Sequence, residues 1–149
     1  MYGKGWNRII FYPYILDMRA VRACYKGIIP YFDEKYDVLS KYTFSLCFEN
    51  CRTEGYSTER IFDCFSVGTI PIYYGDPLIS QMIQRYCFID FSKFQDFRLL
   101  NEYLRSLSED AVDRYRRNIR QFMHSPAFDP FKVETFARNF MRLVIDGCW

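Results

Sequence analysis

The sequence predicts an α/β fold: a small open parallel sheet with helices on both sides, followed by a helical carboxy-terminal extension. Three observations predict it. Through the middle of the chain, short β-branched and aromatic runs alternate with amphipathic runs in βαβαβα order, the pattern of parallel strands joined by crossover helices. The run Thr69–Tyr74 is apolar without alternation, as expected of a strand buried on both faces. Gly68, Gly75 and Pro77 punctuate these runs where a parallel unit needs turns.

The first residues, through Asn7, form a short apolar start broken by Gly3 and Gly5, suited to a strand end or a hinge, and the chain is expected to begin mid-protein. Trp6–Tyr36 is tyrosine-rich and broken by Pro13, Gly27 and Pro30, so loops are expected there, with a short helix around Asp17–Tyr25. A helix over Asp33–Lys41, turning Tyr36 and Leu39 inward, leads into a strand over Tyr42–Glu49, where Phe44, Leu46 and Phe48 alternate with smaller residues. After a loop over Asn50–Tyr56, Ser57 or Thr58 can cap a helix reaching about Val67, with Ile61, Phe62 and Phe65 facing the core and Gly68 as its stop. Beyond strand Thr69–Tyr74, a short helix over Ile79–Arg85, a strand over Cys87–Asp90 and a helix over Phe94–Leu107 follow, the last with Phe97, Leu100, Tyr103 and Leu104 on one stripe. Ser108 opens a charged helix through about Met123, and Pro126 and Pro130 separate it from Phe131–Ile145. Residues 1–107 are thus read as the sheet domain and residues 108–149 as a helical extension packed on it.

A length of 149 residues suits one domain by the usual ~100–200 residues per domain. With 50% hydrophobic residues the chain has ample apolar surface to fold, and a net charge of +2 gives no footprint for nucleic acid. No apolar run is long enough for a membrane span, and the amino terminus lacks a signal-peptide pattern. Cys24, Cys47, Cys51, Cys64, Cys87 and Cys148 are scattered, several in apolar patterns, and are read as reduced small hydrophobes. Cys47 and Cys51 lack the companions that a four-ligand metal site needs, so no metal is expected. His124, the single histidine, is read as a surface residue, and Arg114, Arg116, Arg117 and Arg120 as a solvated helix face.

The chemistry is concentrated in Phe48-Glu49-Asn50, Tyr56 and Thr58-Glu59-Arg60, followed by Thr69-Ile70-Pro71-Ile72-Tyr73-Tyr74-Gly75. Ligands of open parallel sheets sit at the carboxyl ends of strands, which gathers the loop after Glu49, the loop after Tyr74 and the helix near Thr58 at one rim. Helical N–H groups there attract anions, Arg60 offers bidentate donors to phosphate oxygens, and Glu59 offers paired acceptors to a diol. Each residue alone has an ordinary structural explanation: a glutamate complementing a helix dipole, a solvated arginine, a turn asparagine, a packing tyrosine.

Together the segment resembles glycosyltransferase family ten, the α-1,3/1,4-fucosyltransferases, whose donor motif runs F-E-N, a short loop, then Y-x-T-E-K. Here Phe48-Glu49-Asn50, Cys51 to Gly55 and Tyr56-Ser57-Thr58-Glu59-Arg60 keep the spacing, with arginine in place of the last lysine. The likeness extends back through Leu39–Leu46, forward to Gly75, and to Tyr2-Gly3-Lys4-Gly5. It implies the carboxy-terminal, Rossmann-like half of a two-lobed GT-B fold that holds GDP-fucose. Asn50, Tyr56, Glu59 and Arg60 would contact the donor, with Arg60 on the diphosphate, Glu59 on sugar hydroxyls and Lys4 as a second phosphate ligand. The implied reaction is inverting transfer of fucose to a hydroxyl of an N-acetylglucosamine-containing glycan, with no obligatory cofactor. Its catalytic base is expected in an amino-terminal lobe, supplied in cis or in trans, so that no residue here is assigned catalysis. Glu49, Glu54 and Glu59 all fall on the donor side. The alternatives are a non-catalytic GDP-sugar-binding module and a related transferase using another nucleotide sugar. The resemblance is compatible with a cytoplasmic or membrane-peripheral protein in a bacterium or virus, and with the Golgi in a eukaryote.

Overall fold

A computed structural model of the chain describes residues 32–146. Lys4 and the glycines beside it, the helix expected around Asp17–Tyr25, the rest of the loop reading up to residue 31, Cys24 and Cys148 lie outside the described residues. Helix α1, Phe32–Leu39, ends a unit that runs to Val38, and a second unit begins at Leu39. The sheet and the helices after it belong to this second unit.

Strand β1 covers Phe44–Phe48, helix α2 Arg60–Ser66 and strand β2 Ile70–Tyr74. Short helix α3, Ile79–Met82, leads to strand β3, Ile89–Asp90. The three strands form one parallel sheet in the order β1-β2-β3, with Phe44 to Phe48 beside Ile70 to Tyr74, and Ile72 and Tyr73 beside Ile89 and Asp90. This is the α/β architecture the sequence predicts.

Strand β1 starts two residues later than expected because Tyr42 is held in a turn. Its N–H donates to the Leu39 carbonyl (3.0 Å), and its own carbonyl accepts from the buried Thr69 hydroxyl (3.0 Å), which also reaches the Leu39 carbonyl (2.7 Å). Pairing therefore begins where the Ile70 N–H donates to the Thr43 carbonyl (2.9 Å). Pro71 sits in the central strand without breaking it. Its neighbour Ile70 bonds toward β1, so the missing N–H of Pro71 falls on the side of β3, which joins the sheet only opposite Ile72.

Alternation along β1 assigns its two faces. Cys47 is buried against Cys64 of α2, with sulfurs 3.2 Å apart. Phe48 points the other way, into a ring cluster with Phe91 (4.9 Å between centroids) and Phe97 (6.2 Å). Phe97 opens helix α4, Phe97–Ser106, so helices do lie on both faces. That helix starts three residues after the predicted Phe94, because the Asp96 carboxylate caps it by accepting the Leu99 N–H (2.8 Å), while Phe91–Lys93 forms a separate 3-10 turn. Leu46 departs from expectation: it shares the face of Phe48, yet is 47% exposed, because β1 is an edge strand among the described residues.

Ser108 caps helix α5, Glu109–Met123, as its sequence predicts, its hydroxyl accepting the Ala111 N–H (3.2 Å). Phe122 of α5 and Phe128 and Phe131 of the 3-10 segment Pro126–Phe131 pack with Phe62 and Phe65 of α2, which joins this part of the extension to the domain. Arg116 is more than a solvated residue, since its Nε donates to the Gly68 carbonyl (3.3 Å) at the end of α2. The packed tail stops short of helix α6, Val133–Asp146, whose Phe136, Phe140, Met141 and Ile145 are exposed. No helix among the described residues is long and apolar enough to cross a membrane.

The cysteines divide by environment. Cys47, Cys64 and Cys87 are buried, while Cys51 is exposed, so Cys47 and Cys51 do not converge. The hydrogen bond with Cys64, and then burial, hold the Cys47 thiol's pKa well above its ordinary value, and burial pushes the Cys87 thiol from 9.0 up to about 11. Native protein should therefore label rapidly at Cys51 with a thiolate-seeking reagent, and at the three buried positions only as fast as it unfolds. Labelling of all four at one rate would contradict this burial. Unfolded Cys87 ionises before folded Cys87 as pH rises, so its contribution to stability is complete below pH 9.0 and declines toward about 11.

Candidate functional site

The carboxyl ends of β1 and β2 meet at Glu49, the residue that follows β1. Its N–H donates to the Tyr74 carbonyl (2.8 Å), continuing the ladder, and its side chain is fully buried. A buried carboxylate requires partners. Here it accepts the Thr58 N–H (2.9 Å), the Thr58 hydroxyl (2.9 Å and 3.1 Å to the two oxygens) and the Arg60 Nη1 (3.4 Å). Arg60 Nη1 also donates to the Phe48 carbonyl (2.6 Å), and its Nη2 donates to Asn50 Oδ1 (3.4 Å).

The loop 50–59 is thus pinned back on the strand it leaves. Thr58 is spent on Glu49 and does not cap α2; the residue at the helix boundary is Glu59, whose side chain makes no capping bond. The sequence expectation of a Ser57 or Thr58 cap is corrected accordingly. The negative group at the helix entrance is the chain's own Glu49.

Of the residues singled out from sequence, Asn50 and Arg60 are brought together by the hydrogen bond above. Glu59 is exposed beside Arg60, and Tyr56 is exposed in the loop, 38% accessible. Lys4 lies outside the described residues. Arg60 keeps donors for a further partner: of its five N–H groups, three are used by Phe48, Glu49 and Asn50, which leaves one on Nη2 and the one on Nε.

Two neighbours of Glu49 carry structural weight that sequence reasoning overlooked. Gly75 lies so close that a Cβ there would collide with Glu49 Cγ and stand 2.7 Å from the Tyr73 hydroxyl. That hydroxyl accepts the Asp76 N–H (3.0 Å) and shares a hydrogen bond with Ser57 (3.2 Å). Burial raises the pKa of the Tyr73 phenol above its ordinary value, against the opposing effect of those two bonds.

On the other side of Gly75 a cavity of about 160 Å³ opens at the ends of β2 and β3. Arg52, Tyr74, Asp76, Arg85, Asp90 and Lys93 are among its walls, and none of Asn50, Tyr56, Glu59 or Arg60 lines it. Its position after two strand ends was a sequence-level signal, but the basic residues are spread over three separate segments and form no motif.

Comparison with known proteins bears on this rim. The family model described as glycosyltransferase family 10 (fucosyltransferase) C-term matches residues 16–135. The Helicobacter pylori alpha-(1,3)-fucosyltransferase FucT is 38% identical over 73 residues, 49% of this chain and 15% of its own. An Arabidopsis thaliana alpha-(1,4)-fucosyltransferase is 33% identical over 82 residues, 55% of this chain and 20% of its own. GDP-fucose protein O-fucosyltransferase 3 of Homo sapiens is 34% identical over 79 residues, 52% of this chain and 16% of its own. A crystal structure of an alpha1,3-fucosyltransferase with GDP-fucose matches at a TM-score of 0.54 and 30% identity, over 61% of this chain and 27% of that one. The chain spans a fifth or less of the length of these curated relatives.

Proposed function

Because the chain belongs to glycosyltransferase family 10, the fucosyltransferases, and corresponds to its C-terminal domain, we propose that it is the donor-binding lobe of such an enzyme and takes GDP-fucose at the rim built on Glu49. The observation that carries this is the pinned Arg60, held by the Phe48 carbonyl, Glu49 and Asn50 with two N–H donors left over. A guanidinium fixed in this way presents two donors in one plane, suited to oxygens of a diphosphate. Glu59, exposed next to it, would accept from sugar hydroxyls, Asn50 and Tyr56 would contact the donor, and Lys4 would supply a second cation to the phosphates.

With an amino-terminal lobe bringing the general base, the reaction would be inverting transfer of fucose to an acceptor hydroxyl. The base takes the acceptor proton while GDP leaves with its charge balanced by Arg60. No group in this chain is assigned as the base, and the chain alone would bind donor without transferring it. The acceptor would be an N-acetylglucosamine-containing glycan. The protein O-fucosyltransferase relatives, 34% identical in the Homo sapiens case, favour a protein hydroxyl as second reading.

Calorimetric titration with GDP, GDP-fucose and UDP-sugars tests the donor class. Glu59→Ala and Arg60→Ala should each weaken GDP-fucose binding by about 1.5–3 kcal/mol, the size of one charge-assisted contact. Unchanged affinity in both variants would remove the site from this rim, and UDP-sugar binding equal to that of GDP-fucose would remove the donor assignment.

A further inference from the structure

The geometry points to a second anion site, in the cavity at the ends of β2 and β3, that binds a phosphate, sulfate or carboxylate group independently of the Arg60 cluster. Arg52, Arg85 and Lys93 converge on this cavity from three separate segments. Among the described residues the ion pairs are Arg60 with Glu49, Arg116 with Asp113 and Lys132 with Asp129, and none neutralises these three cations.

Two carboxylates also face the cavity, and both are engaged by the backbone. Asp76, which is buried, accepts the Leu78 N–H (2.8 Å) on Oδ1 and the Ser57 hydroxyl (3.5 Å) on Oδ2. Asp90 accepts the Ser92 N–H (3.0 Å) and hydroxyl (2.6 Å) on Oδ1. Three positive groups against two negative ones leave the cavity with one net positive charge, and its positive groups are the ones with donors to offer. Arg52 is also steadied by the Tyr74 ring, its guanidinium carbon 5.5 Å from the centroid. Ile79 and Phe88 make part of the wall apolar, which strengthens a charge-assisted bond formed against it.

The volume of about 160 Å³ equals roughly five waters at ~30 Å³ each, room for an oxyanion and part of whatever carries it. Gly75 and Tyr73 line the cavity and Glu49 packs against Gly75, while none of Glu49, Asn50 and Arg60 lines it. An anion here therefore does not need GDP to be bound at the rim.

Isotope-labelled protein titrated with inorganic phosphate and with sulfate, against chloride at matched ionic strength, tests the proposal through the backbone amide resonances of Gly75, Ser80 and Ser92. Saturable shifts are expected with both oxyanions, and Arg85→Gln and Lys93→Gln should each weaken the affinity by about tenfold. Arg85→Lys, which keeps the charge, should recover part of the loss. Glucose 6-phosphate binding more tightly than phosphate, with glucose silent, would identify an anion carried on a sugar; equal binding would identify the free anion. Shifts that chloride reproduces, or affinities unchanged in both glutamine variants, would overturn the proposal. So would displacement of phosphate by saturating GDP, because the cavity would then belong to the nucleotide's own site. Failure of GDP to bind at all would leave the phosphate titration intact and count only against the donor assignment.

Discussion

Replacing Gly75 by alanine is expected to destabilise the protein by about 3 kcal/mol, at the upper end of what overpacking a filled interior costs. The added methyl would collide with Glu49 Cγ, lie 2.9 Å from Glu49 Cβ and crowd the Tyr73 hydroxyl at 2.7 Å. Neither neighbour can retreat cheaply. Glu49 is anchored by Thr58 and Arg60, and Tyr73 is wedged in the core with its hydroxyl committed to Ser57 and to the Asp76 N–H. Gly55 and Gly68 make the contrast, because nothing lies within 4 Å of a Cβ at either, and their requirement is the backbone angle φ of +75° and +74°. Alanine there should cost only ~1–2 kcal/mol, the penalty of a left-handed conformation. Urea denaturation of the three variants measures the ordering, and a Gly75→Ala protein as stable as the other two would show that Glu49 and Tyr73 yield to the added methyl.

The second large effect is expected at Glu49. Glu49→Ala removes the acceptor of the Thr58 N–H, the Thr58 hydroxyl and one donor of Arg60, and should cost about 3 kcal/mol, as expected when one partner of a buried ion pair is deleted. Arg60 is partly exposed, so water can accept from the donor released, which keeps the loss near the lower end of that range. Glu49→Gln preserves the volume and one accepting oxygen, so it should lose about half as much, its amide NH2 replacing the other oxygen and meeting a donor. Unfolding midpoints of the two variants against the parent give the measurement. If Glu49→Ala unfolds within ~0.5 kcal/mol of the parent, the carboxylate is not what holds the loop, and its neighbours must be satisfied otherwise.

Much of the sheet was legible because its signals are local. The unbroken apolar run to Tyr74 encodes a strand buried on two faces, and Ser108 ahead of a charged stretch encodes a cap. Boundaries that depended on competition for a partner were not. Tyr42 reads as a strand residue, but Thr69, distant in sequence, claims its carbonyl; Thr58 reads as a cap, but Glu49 claims both of its donors. The same limitation applies to the rim. The proximity of Asn50 and Arg60 was foreseeable from the family motif, whereas the roles of Glu49 and Gly75 appear only when β1 and β2 lie side by side in register. Helix α6 shows why such patterns fall short: helical periodicity identifies an apolar stripe, here exposed at Phe136, Phe140, Met141 and Ile145, without saying what it meets.

Arg60 also carries a thermodynamic implication. A free arginine that closes on a ligand surrenders its rotamers at that moment, a loss of about 0.5–1.5 kcal/mol per side chain. With one nitrogen already on the Phe48 carbonyl and another on Asn50, most of that freedom vanishes when the chain folds. Whatever anion reaches this rim encounters an immobilised fork, so its association should be rich in enthalpy and carry little entropic penalty from the protein.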